Sequence, residues 1–249
     1  MTVAERDPEG VVRVRAPNPS PLTLDGTNTY AVGRWVVDPG PEDDTHLDAV
    51  RDAAGGSVEA VVLTHGHPDH ADGAERLGAP VLRPADGEQV GPFRALATPG
   101  HSPDSVCLLL GGICFTGDTV LGEGSVFIPP GEGSLGAYLE SLRRLRSLEL
   151  ELLCPGHGPY VRDPNAKLDE YIAHRLDREG RLLAAIEDGR RTEDELLDAA
   201  WADVPAELRA AAGLTLRAHL EKLEAEGRLP PELDPDLLRG GGGPGERGL

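Results

Sequence analysis

The chain has 249 residues, enough to bury a large core as one domain or as a main domain with an appendage. Its 24 Lys and Arg against 43 Asp and Glu leave a net charge of −19, which opposes non-specific attraction to nucleic-acid phosphates, and an apolar fraction of 39% excludes wholesale disorder. No apolar run approaches the roughly 18 residues of a membrane span, and the start, MTVAERDPEG, is charged rather than signal-like, so the expectation is a cytoplasmic protein with no membrane partner.

Val11 to Val14, Tyr30 to Val32 and Trp35 to Val37 have strand patterns; Pro39-Gly40-Pro41 breaks the run, and Thr45 to Arg51 predicts a short helix. Glu59 to Leu63 predicts a buried strand and Ala71 to Leu77 a helix. Val81, Phe93 to Ala97, Ser105 to Leu110 and Ile113 to Phe115 predict strands. Leu139, Leu142 and Leu145 give Gly136 to Ser147 a helical spacing, and Glu151 to Cys154 predicts another strand. Cys107, Cys114 and Cys154 lie in or beside apolar runs and read as buried, reduced thiols.

From Asn165 the pattern becomes helical and charged. Ala166 to Glu187 predicts one long amphipathic helix and Thr192 to Leu229 three shorter ones, with Thr192 and Glu195 spaced as a capping box. Three small helices suit either a helix-turn-helix or winged-helix module or a helical cap over the sheets. The expected organisation is an α/β domain at 1–164 with two sheets between helical layers, a long helix plus helical module at 165–238, and a disordered Gly-rich tail at 239–249.

The chemistry concentrates in LTHGHPDHADG, Leu63 to Gly73. In an extended segment His65 and His67 point to the same side and can approach one metal ion together, while Asp69 and His70, at the turn into a helix, can face a second. Imidazole and carboxylate without thiolate suit a hydrolytic site more than a structural one. His101 in TPGHSPDS, Asp118 in CFTGDTVLGEG and His157 in LLCPGHGP follow the same grammar, each placed after an apolar strand beside Gly or Pro. Five of the eight histidines fall at such places, a concentration that chance explains poorly.

His-x-His-x-Asp-His followed by a later His, a Gly-Asp and a Pro-Gly-His-Gly resembles the metallo-β-lactamase superfamily, in order from Asn28 to His157. That resemblance implies an αββα sandwich with the metals at one edge. It implies that His65, His67 and His101 bind the first metal, that Asp69, His70 and His157 bind the second, and that Asp118 bridges them. Two zinc ions are the default, with iron or manganese as alternatives. Asp69 would also act catalytically, orienting the metal-activated water or passing a proton to the leaving group.

LDGTNTY, GDTVLGEGSVF, PGHGP and YIAHRLDRE, followed by the helical module, are similar to the β-lactamase-like protein 2 subfamily, which includes a single-strand-preferring endoribonuclease and carries a winged-helix-like C-terminal domain. The length of this resemblance favours phosphodiester cleavage of single-stranded RNA. A glyoxalase II-like or acyl-carrier thioesterase-like hydrolysis of a thioester or ester is the alternative, and a metal-dependent binding or regulatory protein is a third reading. A phosphodiester calls for cations, yet Gly117 to Gly136 holds Asp118, Glu123 and Glu132 and no Lys or Arg. The nearest basic residues are Lys167, Arg175, Arg178 and Arg181. Asn28, His174 and Arg175 are candidate substrate contacts, Asp38 a candidate to orient a ligand histidine, and His46 and His219 read as surface residues. Oligomeric state is not legible.

Overall fold

The computed structural model describes residues 6–230 and residue 233; the tail 239–249 and most of 231–238 lie outside the described residues. One sheet contains β1 (Val11–Arg15), β2 (Asn28–Val32), β3 (Trp35–Val37), β4 (Ala60–Val62) and β5 (Val81–Leu82) in that spatial order, antiparallel from β1 to β3 and parallel from β3 to β5. The other contains β6 (Gln89–Val90), β7 (Phe93–Ala97), β8 (Val106–Leu110), β9 (Ile113–Gly117) and β10 (Leu152–Pro155), ordered β10-β9-β8-β7-β6, with only the β9–β10 pair parallel.

The strand period of two divides each sheet into two apolar faces. Tyr30, Val62, Phe93, Leu108 and Phe115 fill the space between the sheets, with Tyr30 and Phe93 meeting Phe115 edge-on at 5.2 and 5.5 Å between ring centres. The opposite face of the first sheet, with Val36 and Val61, is covered by Leu47 and Val50 of α1 (Asp44–Ala53). That of the second, with Cys107, Cys114 and Leu153, is covered by Tyr138, Leu139, Leu142 and Leu145 of α3 (Leu135–Arg146). Each such buried side chain contributes about 1.5–3 kcal/mol of apolar transfer. The layers are therefore αββα. All three cysteines are buried and reduced.

Ala71 to Leu77 is not one helix. α2 (Pro68–Ala71) stops after a single turn and a 3-10 turn follows at Glu75–Leu77. Gly73 lies between them, and its N–H leaves the helical ladder to donate to Gly40 O at 2.9 Å; the packing there is close enough that an added Cβ would sit 2.8 Å from the Leu47 side chain of α1.

α4 (Pro164–Glu187) begins with Asp163 capping Ala166 N and is shared between two cores. Its Leu168 and Tyr171 pack with α3, whereas Leu182 and Ile186 pack with Leu196 and Leu197 of α5 (Glu193–Ala200) and Leu216, Leu220 and Leu223 of α6 (Arg209–Ala225). The capping box of Thr192 and Glu195 forms. Between Thr192 and Leu229 there are two α-helices rather than three; after Pro205 the chain makes only a 3-10 turn, Ala206–Leu208, that runs directly into α6. His219 of α6 is fully buried rather than exposed, its ring meeting Trp201 edge-on at 5.7 Å. Among the described residues no helix is long and apolar enough to cross a membrane.

Topology brings the polar strand ends together. β8 is antiparallel to both β7 and β9, and β10 is parallel to β9, so β7, β9 and β10 run the same way and end on one edge. His101, Asp118 and His157 follow those three ends, and the segment after β4 meets them from the other sheet. Backbone bonds stitch the sheets at this edge, Val106 N to Thr64 O at 2.8 Å and Asn28 N to Gly156 O at 2.7 Å, while Gly156 N to Gly117 O at 2.9 Å continues the β9–β10 pairing past its last residues.

Candidate metal centre

Two groups of donors meet at this edge. His65, His67 and His101 form the first, and Asp69, His70 and His157 part of the second, with the ligand atoms of each group within 4.8 Å of one another. Asp118 stands between them: its Oδ1 lies 3.4 Å from His70 Nε2 and 3.3 Å from His157 Nε2, and its Oδ2 lies 3.7 Å from His101 Nε2. All seven sequence candidates are thus in one place.

The surrounding hydrogen bonds fix the imidazole tautomers. His101 Nδ1 donates to Phe127 O at 2.7 Å, leaving its Nε2 as a lone pair. Thr64 Oγ1 donates its single proton to Asp38 Oδ2 at 2.6 Å and must accept from His65 Nδ1 at 3.1 Å, so His65 Nε2 is also a lone pair. His67 Nε2 faces Glu132 Oε1 at 3.4 Å, which turns Nδ1 inward as the third. These three nitrogens converge, with His67 Nδ1 3.0 Å from His65 Nε2 and 2.9 Å from His101 Nε2. Lone pairs at that separation repel unless a cation lies among them. Burial, with neighbouring His70, lowers the His65 pKa to about 3, and burial also lowers that of His101, so both are neutral at ordinary pH, the form in which an imidazole can serve as a metal donor.

The second group has the same character. His70 Nδ1 donates to Asp38 Oδ2 at 2.9 Å and His157 Nδ1 to Gly26 O at 3.4 Å, which aims both Nε2 atoms inward, 3.2 Å apart. Asp69 Oδ2 lies 3.2 Å from His157 Nε2. Asp118 Oδ1 is buried and lacks a hydrogen-bond partner. An orphaned carboxylate oxygen, a second carboxylate and two inward imidazoles fit a divalent cation of the nitrogen-and-oxygen class. Without one, protons take the role. Burial opposes charge on His70 and His157, yet Asp118, with Asp38 or Asp69, holds His70 well above its ordinary value and His157 at about 9. Against the same burial, the two imidazoles keep Asp118 well below the carboxylate range.

Local sequence explains the tight assembly. Gly156 is required because a Cβ there would lie 2.6 Å from His70 Cε1 and 2.7 Å from Asp118 Oδ1. His46, expected at the surface, is buried; its Nε2 lies 3.0 Å from both Pro39 O and Thr29 Oγ1 and so braces the turn that presents Asp38. Asn28, a candidate substrate contact, does not line the cavity beside the donors. It is 0% exposed, and its amide donates to Pro155 O and Gly158 O, clamping the turn that carries His157. His174 is exposed on α4 and does not line the cavity.

A cavity of about 430 Å³ opens onto the two groups. Leu22, Leu24, Leu121, Val126 and Phe127 form its apolar wall, and the charged residues lining it, besides the histidines, are Asp69, Asp118, Glu123 and Glu132. None of the four basic candidates on α4 reaches it. Lys167 pairs with Glu170, Arg178 makes a two-pronged bond to Asp203 at 2.6 and 2.8 Å, Arg181 pairs with Asp177 and Asp203, and Arg175 is buried behind the wall. A helix of alternating charge satisfies itself locally, and nothing in the spacing distinguishes such cations from ones that face a ligand.

Comparison with known proteins agrees with this geometry. The metallo-beta-lactamase superfamily profile matches residues 22–79 and 83–157, which takes in every inward donor described above. The chain belongs to the metallo-beta-lactamase superfamily. A beta-lactamase associated winged helix domain matches residues 192–230, the segment of α5 and α6. Among superfamily relatives, a beta-lactamase-like protein 2 homolog from Drosophila melanogaster is 30% identical over 88% of this chain and 89% of its own length. An atrochrysone carboxyl ACP thioesterase from Aspergillus fumigatus is 34% identical over 80% of this chain and 71% of its own. A crystal structure of a metallo-beta-lactamase family protein from Thermus thermophilus superimposes with a TM-score of 0.70 at 26% identity, covering 88% of this chain and 94% of that one. Superfamily members are generally hydrolases that use divalent metals.

Proposed function

We propose that this protein is a dinuclear metal hydrolase that cleaves an ester or thioester with an apolar acyl group. The observation that carries this reading is the cavity: an apolar wall faces the donor cluster, and among the described residues lining it every fixed charge is acidic. A polyanionic strand would meet Glu123 and Glu132 in the lining with no Lys or Arg there to offset them, whereas an acyl chain loses only water. The thioesterase among the relatives supports the same class.

His65, His67 and His101 would hold one ion, Asp69, His70 and His157 the other, and Asp118 both; zinc is the expected metal. Two bound divalent ions lower the pKa of water towards neutrality and offset the charge that develops on the carbonyl oxygen. Asp69, 30% exposed at its side chain against 13% for Asp118, is the more exposed of the two donor carboxylates that line the cavity; it would orient the attacking water and pass a proton to the leaving group. The apolar wall excludes competing water from the acyl side.

The test is to measure metal content and then offer the protein an acyl thioester, S-lactoylglutathione, a model phosphodiester and single-stranded RNA in parallel. Acyl thioester turnover without RNA cleavage is expected, and Asp118→Ala should lose both turnover and bound metal. Cleavage of RNA with the thioesters untouched overturns the proposal.

A further inference from the structure

Arg175 is 3% exposed, and among the described residues no carboxylate lies within salt-bridge distance of it. A guanidinium buried without a counter-charge is costly unless its N–H groups find acceptors. Its Nη2 donates to Ser125 Oγ at 3.0 Å and to Val126 O, its Cζ lies 5.7 Å from the centre of the Tyr138 ring, and its Nε is buried without a hydrogen-bond partner. Both acceptors belong to the cavity wall. One turn earlier on α4, the Tyr171 hydroxyl oxygen accepts from Leu121 N of the same wall at 3.4 Å. The residues that follow Arg175 on α4 fasten the C-terminal module: Arg178 to Asp203, and Glu179 to Lys222 at 2.6 Å.

The wall in turn touches the donors. Phe127, two residues beyond Ser125, supplies the carbonyl that fixes the tautomer of His101, and Glu132 faces His67. From this chain of contacts we infer that Arg175 is a positioning residue: it holds the 121–127 wall in the shape that receives the acyl group, and it ties that shape to the seat of the C-terminal module on α4. The inference rests on the apolar wall being the acyl site. It explains why a cation stands at this place without facing substrate: the two protons of Nη2 satisfy a hydroxyl and a carbonyl of the wall from one nitrogen, at the end of a side chain long enough to reach them from α4.

The experiment uses the full chain with its metals. Hydrogen exchange of the 119–130 segment is compared between wild type and Arg175→Met, with the 61–67 segment as internal reference, and kcat and KM are measured for short and long acyl thioesters. Arg175→Met should raise exchange in 119–130 about tenfold relative to the reference, raise KM for the long acyl chain by a similar factor and narrow the preference between chain lengths, with kcat changed less, because a charged hydrogen bond of this kind is worth roughly that much. Arg175→Lys should restore part of each effect. Unchanged exchange in 119–130, or a fall in kcat with KM and chain-length preference intact, overturns the inference. If Arg175→Met fails to fold, Tyr171→Phe, which removes one oxygen from the same tie, must raise exchange in 119–130 for the inference to stand. If the wild type cleaves no acyl substrate the proposed function fails, and the exchange comparison still decides the role of Arg175.

Discussion

Asp38 Oδ2 accepts from His70 Nδ1 at 2.9 Å and from Thr64 Oγ1 at 2.6 Å, while its Oδ1 accepts from Thr64 N at 2.8 Å. One buried carboxylate therefore orients His70 directly and His65 through Thr64, one imidazole from each donor group. Asp38→Asn keeps the shape but places an amide where an acceptor is needed, opposite either Thr64 or His70. Outer partners of this kind affect metal affinity about 10- to 100-fold. We expect Asp38→Asn to weaken the more loosely held ion by that order, read by titration with a chromophoric chelator; unaltered affinity would show that Asp38 only packs.

Loading the second donor group must displace protons. Once the metals are removed, His157 with a pKa of about 9 and His70, also raised, are both protonated at pH 7. Metal uptake by the stripped protein at pH 7 should release protons, up to about two for that group. Proton competition sets in as pH falls through about 9, so affinity falls steadily as pH drops below that. An indicator dye in weak buffer measures the release; uptake with no release would mean the imidazoles were already neutral.

His219 governs part of the acid limb of stability. Burial, with Arg175 and Lys222 close by, lowers its pKa to about 3, and neither ring nitrogen has a partner. The folded value lies below the unfolded one of about 6.5, so the unfolded chain binds the extra proton. The stability involved is fully present above pH 6.5 and is lost progressively as pH falls towards 3. Replacing His219 by Leu should flatten urea-measured stability across that window, and a slope equal to wild type would count against it.

Leu24 holds a strained backbone, with φ at 55°, while its side chain lines the cavity and rests over Gly158. The left-handed region costs a side-chain-bearing residue about 1–2 kcal/mol. Leu24→Gly relieves that strain as it removes the apolar surface, so the melting temperature should move little while KM for an acyl thioester rises several-fold. A large drop in melting temperature with KM unchanged would assign Leu24 to packing alone.

The donor cluster was legible because its spacing is local: His65, His67, Asp69 and His70 announce themselves within six positions, and His101, Asp118 and His157 each end a readable apolar run. The layers were legible for a similar reason, since α1, α3 and α4 carry clear apolar stripes. What escaped depends on contacts distant in sequence. His46 and His219 are buried by neighbours that no local pattern names, and Arg175 is indistinguishable from the ion-paired Arg178 and Arg181 until α4 is set against the cavity wall. β6 is two residues long, too short for a period to register. The break in 71–77 goes with the bond from Gly73 N to Gly40 O, a contact distant in sequence that only the fold creates.

A helix of 24 residues whose first half belongs to one core and whose second half belongs to another makes the two inseparable in a thermodynamic sense. Melting the small core frays the very helix on which α3 rests, and melting the large one strips Tyr171 and Arg175 from the segment that carries the module. The two cores should therefore be lost in a single transition on heating, and they can be inherited or exchanged only together with the helix that joins them.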